Sequence, residues 1–361
     1  MEVRQVDIAV FGGTPLARLV AGFLAQAHSR RMALVGESSA AYRLARGLDL
    51  SVAPVTRPET WSILTATVPE TLRQLVRLGA RPAIQRLDPL FVGATPHAKQ
   101  GLAHVRHMAA GFGHDAQAVP PEVAGANREG LILRDAALIL RTEAEPILDS
   151  WLARLDVAVV PPRLSTAHVL PDGTAHIEVG SIRLEAGMAV LADDAAILAH
   201  TGHVLGPLLY PVLASAILTE PAPPLPAPVL LDVDREAQLH QMPTQAIAAV
   251  ATGDTPGTAS AVAGLLRRPQ PVRLAGHVGF RRLVTQDGAP VFGRAQGHGG
   301  VVLAGLGPTG AFLAPAIARW LTGAASGAED AWFAARGFSR LLAPSPVGEF
   351  GAMRLLAEAG A

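Results

Sequence analysis

The chain has no cysteine, and this removes several chemistries at once. Disulfides, thiolate nucleophiles, iron–sulfur clusters and cysteine-linked prosthetic groups are excluded. Lysine is nearly absent too: Lys99 is the only one, so Schiff-base chemistry and a phosphate-binding P-loop lysine have a single candidate. Net charge is missing as well, with 30 basic residues against 30 acidic ones. Without a cationic excess, a general affinity for nucleic acid is not expected, because such binding rests on clustered positive charge. The sequence contains neither a G-x-S-x-G elbow nor a G-x-x-x-x-G-K-[ST] loop. Met1 to Asp7 is short and polar, with no signal-peptide pattern, and a cytoplasmic location is the expectation. One stretch, 195–219, carries no acidic or basic residue besides His200 and His203. Gly202, Gly206, Pro207 and Pro211 interrupt it, so it reads as a buried segment rather than a membrane-spanning helix.

What is present is apolar bulk. Half of the 361 residues are hydrophobic, enough for a large core and for two domains or one large α/β domain with a lobe. Asp7 to Phe11 reads as a buried strand. Thr14 is placed to cap a helix that starts at Pro15, where a missing N–H costs nothing. Leu16, Leu19, Val20, Phe23 and Leu24 then recur at helical spacing. Met32 to Val35 is the next strand, which completes a βαβ unit and implies a parallel sheet. Helices are expected over 68–78, 98–110 and 144–154, with "RLDPLFVGATPHA" (86–98) as a loop. Hairpin-like strands follow: "VAVVP", "RLSTAHVLPDG", "TAHIEVGSIRLEAG" and "MAVLA", with a turn at Pro171-Asp172-Gly173. The proline-rich 220–229 reads as a loop or the entry to an edge strand. No repeat of fixed period is visible.

The first turn carries chemistry. A dinucleotide fingerprint is G-x-G-x-x-G with an acidic residue about twenty positions on. Its three slots here hold Gly12, Thr14 and Ala17, and Glu37 stands at the end of the second strand. Gly12-Gly13 lets the backbone approach a ligand, and the helix N-terminus offers free N–H groups to a pyrophosphate. Glu37 is the acceptor for ribose hydroxyls. An ordinary βαβ turn without a ligand fits the same residues. Near the other end, "GFRRLVTQDGAPVFGRAQGHGGVVLAGLGPTGAFLAPAIARWLTG" (279–323) holds an arginine, a T-x-D-G-x-P-x-x-G turn and a strand. That strand runs into a full G-x-G-x-x-G at Gly305, Gly307 and Gly310.

This pairing of glycine turns resembles the D-amino-acid oxidase superfamily of FAD-dependent oxidoreductases, which includes glycine oxidase and sarcosine oxidase. "REGLILRDAALILRTEAEPILDSWLARLDVAVV" (128–160) is similar to the family's middle block, and "EDAWFAARGFSR" (329–340) to its closing segment. The resemblance is strongest at the two ends and weak from about residue 50 to 125.

It implies an α/β fold: a discontinuous Rossmann-like FAD-binding domain (1–60, 128–200 and 270–361) and a second, sheet-based substrate domain (61–127 and 201–269). It also implies non-covalent FAD. The cofactor-binding positions carried over are Gly12, Gly13, Thr14, Pro15, Leu16, Ala17, Glu37, Ser38, Arg43, Val159, Ala192, Gly305, Gly307, Pro308, Thr309 and Gly310. Arg281 takes the role of substrate-carboxylate ligand, with Arg282 facing the other way along a strand. The implied activity is oxidation of a small-molecule amine or amino acid by hydride transfer to the flavin. The implied partners are that substrate and a further copy of the chain or a partner subunit, with no nucleic acid and no metal.

The sequence departs from the family at three places. Thr14 replaces the central glycine, the run after Glu37 is rewritten, and "LADDAAI" (191–197) puts Asp193 and Asp194 beside the expected pyrophosphate. A carboxylate there repels a phosphate unless it points away or is paired. These departures carry an alternative: a non-catalytic or weakly catalytic family member serving as a partner or assembly subunit. Histidine pairs at His104/His107 and His200/His203 lack carboxylate or cysteine support for a metal.

Overall fold

A computed structural model describes residues 2–38, 44–201, 208–340 and 349. Arg43 and His203 lie outside them. The strand Glu2–Phe11 runs between two parallel neighbours, Ile182–Leu191 on one side and Met32–Val35 on the other. Ala158–Val160 continues the sheet in parallel beyond Met32–Val35. Ala175–Val179 and Ser165–Val169 extend the opposite edge as an antiparallel meander. The late strand Val301–Ala304 also pairs in parallel with the end of Ile182–Leu191. This is the Rossmann-like arrangement that the βαβ pattern predicts.

The first helix, Pro15–His28, forms as expected. Thr14 Oγ1 accepts from the Ala17 N–H at 3.4 Å, Pro15 opens the first turn, and Leu16, Leu19, Val20, Phe23 and Leu24 are all buried. The helix Gly310–Leu321 follows the second glycine turn and is buried from Gly310 through Ala318. It packs against Pro15–His28 and against the long helix Pro58–Arg77. Phe292, Trp320, Trp332 and Phe333 close that core, with Phe292 5.1 Å from Trp332 and edge-on to Phe333 at 4.8 Å between ring centres.

A second sheet is ordered Leu274–Thr285, Leu209–Thr219, Ile247–Thr252, Ala237–Gln241, Val229–Asp232, Leu90–Gly93, Glu129–Leu133 and Ala116–Val119. Leu274–Thr285 and Glu129–Leu133 therefore join this sheet, although both fall in segments expected to belong to the cofactor lobe. Asp49–Leu50, Ala136–Ile139 and Ile84–Leu87 form a small third sheet.

Three local expectations need correction. The stretch 86–98 is not a loop: it holds the end of Ile84–Leu87 and all of Leu90–Gly93, which is buried throughout and paired on both sides. Asp88-Pro89 and the later Thr95-Pro96 punctuate it like a loop, and a four-residue apolar run has no period to reveal it. "VAVVP" is no hairpin partner but a parallel strand beside Met32–Val35. "IRLEAG" and "MAVL" are one continuous strand, because the register is unbroken across Gly187, from Val6 opposite Ala186 to Ile8 opposite Met188. The helices over 68–78, 98–110 and 144–154 are present but longer, at Pro58–Arg77, Pro96–Gly111 and Arg141–Arg154. The uncharged stretch 195–219 divides into the helix Asp194–Thr201 and the strand Leu209–Thr219. Among the described residues no helix is long and apolar enough to cross a membrane.

Candidate functional site

The two glycine turns lie at the ends of parallel strands that share the neighbour Ile182–Leu191. Their glycines are required by close approach. A Cβ on Gly13 would stand 2.8 Å from the Glu37 carbonyl oxygen, and one on Gly36 would be 2.0 Å from that of Gly12. Gly305 has a positive φ of 69°, and a Cβ there would meet Thr285 Cγ2 at 2.9 Å.

Three adjoining cavities run across this face. The first, of about 320 Å³, is lined by Gly12, Gly13, Thr14, Glu37, Arg163 and His200 among others. The second, of about 210 Å³, lies between Leu16, Ala192, Phe280 and the Gly305–Gly310 turn. Thr14, Arg46, Arg141, Asp193 and Ala195 line both, so they mark the junction. The third, of about 120 Å³, opens toward the second sheet and is lined by Tyr210, Asp232, Glu236, Arg282 and Pro308, with Gly305 and Gly307 shared with the second.

Charge at the junction is balanced from within the chain. Arg141 Nε donates to Asp49 Oδ2 at 2.6 Å. Burial works against the arginine's charge, but Asp49, with Glu145 and Asp193 behind it, holds its pKa above the ordinary value. Arg46 stacks over the Phe280 ring, 5.0 Å from its centre. The Gly13 N–H donates to Asp193 Oδ2 at 2.7 Å, while Asp193 Oδ1 accepts from Ala196 at the start of the Asp194–Thr201 helix. Desolvation pushes the Asp194 carboxyl up to about 6, opposed by the Leu283 N–H and by the charges of Arg282 and Arg46. In the third cavity, desolvation also raises Asp232, and Glu236 lies 3.8 Å from Arg282 while accepting from Thr252 Oγ1.

The expected site residues divide clearly. Gly12, Gly13, Thr14, Leu16, Glu37, Ala192, Gly305, Gly307, Pro308 and Gly310 line the cavities. Pro15, Ala17 and Thr309 are buried behind the turns, with Thr309 Oγ1 donating to the Leu306 carbonyl. Ser38 donates to the buried Glu145. Val159 is exposed on its strand, at 43%. Arg281 is exposed and lines only the second cavity, whereas Arg282 is half-buried and lines both the second and the third. Alternation along the strand separates the two arginines as expected, and Arg282 is the one that reaches the third cavity. Tyr210 lines that cavity too. Asp49, Arg141, Asp232 and Glu236 escaped the sequence reading. They stand on three separate segments with no shared motif, Asp232 and Glu236 together on one hairpin, and only the fold gathers them. His104 Nε2 lies 2.9 Å from the Thr56 carbonyl oxygen, and His114 packs on Trp61.

No family model and no curated protein sequence matches the chain. Solved structures do match. L-proline dehydrogenase from P. horikoshii superposes with a TM-score of 0.70 at 14% identity, over 92% of this chain and 97% of its own. Glycine oxidase from Geobacillus kaustophilus gives 0.66 at 15%, over 98% and 99%. L-Amino acid deaminase from Proteus myxofaciens gives 0.67 at 13%, over 92% and 93%. Sequence identity this low carries the fold, and the fold extends over nearly the whole of each chain. A Rossmann-like sheet with two glycine turns, facing a second sheet across a common cleft, gives this chain the fold of these three structures.

Proposed function

We propose that the chain is an FAD-dependent oxidoreductase that takes hydride from a small amine or amino acid. The observation that carries this reading is the unbroken run of cavities, from the first glycine turn past the second to a pocket lined by both signs of charge. Three features support a fit to FAD. The Gly13 N–H already holds an anionic oxygen, so the turn is a working anion site. Arg46 and Arg141 flank the junction where a diphosphate would lie. Glu37 offers carboxylate oxygens at the ribose end of the first cavity.

Bound FAD would supply the hydride acceptor. The chain's own residues would do the rest. Arg282 holds a substrate carboxylate with two parallel N–H bonds. Glu236 and Asp232 accept from the substrate's ammonium or amine and keep it in the third cavity. Pro308 and Tyr210 wall that cavity and limit the size of the side chain admitted.

The test is direct. Purified protein should show a flavin absorbance spectrum, release yellow FAD on acid precipitation, and bleach anaerobically with one of a panel of amino acids and amines. Colourless protein that also fails to take up added FAD would overturn the reading in favour of a non-catalytic partner subunit.

A further inference from the structure

The position of Asp193 has a meaning of its own. Its side chain bridges two backbone donors on different elements: Gly13, at the mouth of the Pro15–His28 helix, and Ala196, in the first turn of the Asp194–Thr201 helix. Gly13 lines the first cavity, which meets the second at a junction lined by Thr14, Arg46, Arg141 and Asp193 itself. The carboxylate is also tight against the turn: Asp193 Oδ2 is 3.0 Å from where a Cβ on Gly12 would sit. Arg141 lies within its electrostatic reach. One oxygen of a negatively charged group therefore takes the donor and the space that a ligand phosphate would need, within electrostatic reach of Arg141. A single N–H serves one strong acceptor at a time.

We propose that Asp193 is an internal stand-in for phosphate, an anion carried by the chain that occupies the diphosphate position and competes with any nucleotide for it. The proposal rests on the cofactor reading above. In the free protein Asp193 satisfies the Gly13 N–H and part-neutralises Arg141, so the cleft is stable without a ligand. Entry of a diphosphate requires the Gly13 bond to be released, while the bond to Ala196 can persist on the other oxygen. Affinity is thereby lowered by the strength of one charge-assisted bond plus the repulsion between carboxylate and phosphate. Asp194 differs. Its carboxyl accepts from Leu283 and does not cap the turn, so the two adjacent aspartates have separate roles.

The test compares wild type, Asp193→Asn and Asp194→Asn in the full chain by calorimetric titration with ADP and with FAD. Asparagine keeps an oxygen for the Ala196 N–H and removes the charge. Asp193→Ser is the second variant, since serine still caps a helix but is too short to bridge to Gly13. Asp193→Asn and Asp193→Ser should each tighten ADP and FAD binding about tenfold or more, while Asp194→Asn changes ADP binding less than threefold. Equal binding by wild type and both Asp193 variants would overturn the stand-in and leave the cofactor reading intact. Weaker binding by both variants would overturn it as well, marking Asp193 as a support of the turn. An equal gain from Asp194→Asn would reduce the effect to general charge and also overturn it. If no form binds either ligand, the cofactor reading falls, and the stand-in with it.

Discussion

The guanidinium of Arg18 donates from Nη1 to the Gly13 carbonyl oxygen at 2.6 Å, and from Nε to Asp149 at 2.7 Å. Arg18 is almost wholly buried, on the first helix, and braces the first glycine turn from behind. Its loss would leave the Gly13 carbonyl unpartnered and Asp149 without its counter-ion. Arg18→Leu should therefore destabilise the fold by about 3 kcal/mol, the low end for a broken buried ion pair because Asp149 is partly exposed. Chemical denaturation of variant and wild type checks this. A change under about 1 kcal/mol would mean that water replaces the lost partners.

Asp194 gives a pH signature. Its folded-state pKa of about 6 lies above the ordinary aspartate value, so the native chain holds that proton more tightly than the unfolded chain does. Stability should fall as pH rises from about 4 to about 6, and the full penalty should persist above. A shift of about two units corresponds to at most about 3 kcal/mol. Asp194→Asn should be more stable than wild type at pH 8 and nearly equal to it at pH 4. Thermal melts at both pH values decide the point, and a gap independent of pH would contradict it.

Arg281 and Arg282 can be separated kinetically. If a substrate carboxylate sits in the third cavity, Arg282→Met removes its fork while keeping much of the apolar stem. A one-sided break of such a pair costs about 2–5 kcal/mol, so kcat/KM should drop roughly thirtyfold or more. Arg281→Met should change it less than threefold. Anaerobic flavin reduction provides the assay, and the reverse ranking would return the role to Arg281.

Glu37 accepts a hydrogen bond from Arg163, whose side chain is 72% exposed. An exposed partner contributes little, about 0–1 kcal/mol. Arg163→Ala should leave FAD affinity within threefold, whereas Glu37→Ala should weaken it about tenfold, the worth of one charged hydrogen bond. Flavin titration of both variants measures this. Equal losses would show that the Arg163–Glu37 pair acts as a unit and that Arg163 is not a bystander.

The sequence made the first βαβ unit readable almost residue by residue. Thr14, Pro15 and the stripe from Leu16 to Leu24 are local signals, and local geometry determines them. The second glycine turn was readable for the same reason. The N-terminal half of Glu2–Phe11 was not, because its residues are exposed and are held in the strand by pairing with Ile182–Ala186. Leu90–Gly93 was missed because burial on both faces erases alternation. At the site, glycines announced themselves, but the charged residues did not. Asp193 was visible as an anomaly beside the expected pyrophosphate. That it reaches Gly13, 180 positions earlier in the chain, is a property of strand adjacency alone.

The buried helix Gly310–Leu321 has a consequence for synthesis. It seals the apolar side of Pro15–His28 and Pro58–Arg77, yet it is made long after both. At about 5–20 residues per second, the first helix waits on the order of 15–60 s for its cover. During that time Leu19, Val20 and their neighbours have no native partner from the late helix, and the strand that precedes it cannot yet join Val190 and Leu191. A ribosome-stalled chain ending before residue 300 should be cleaved readily by protease and should engage chaperones, while one extended past residue 340 should resist. The first glycine turn thus matures only after the late helix Gly310–Leu321 has been made and completes the core beneath it.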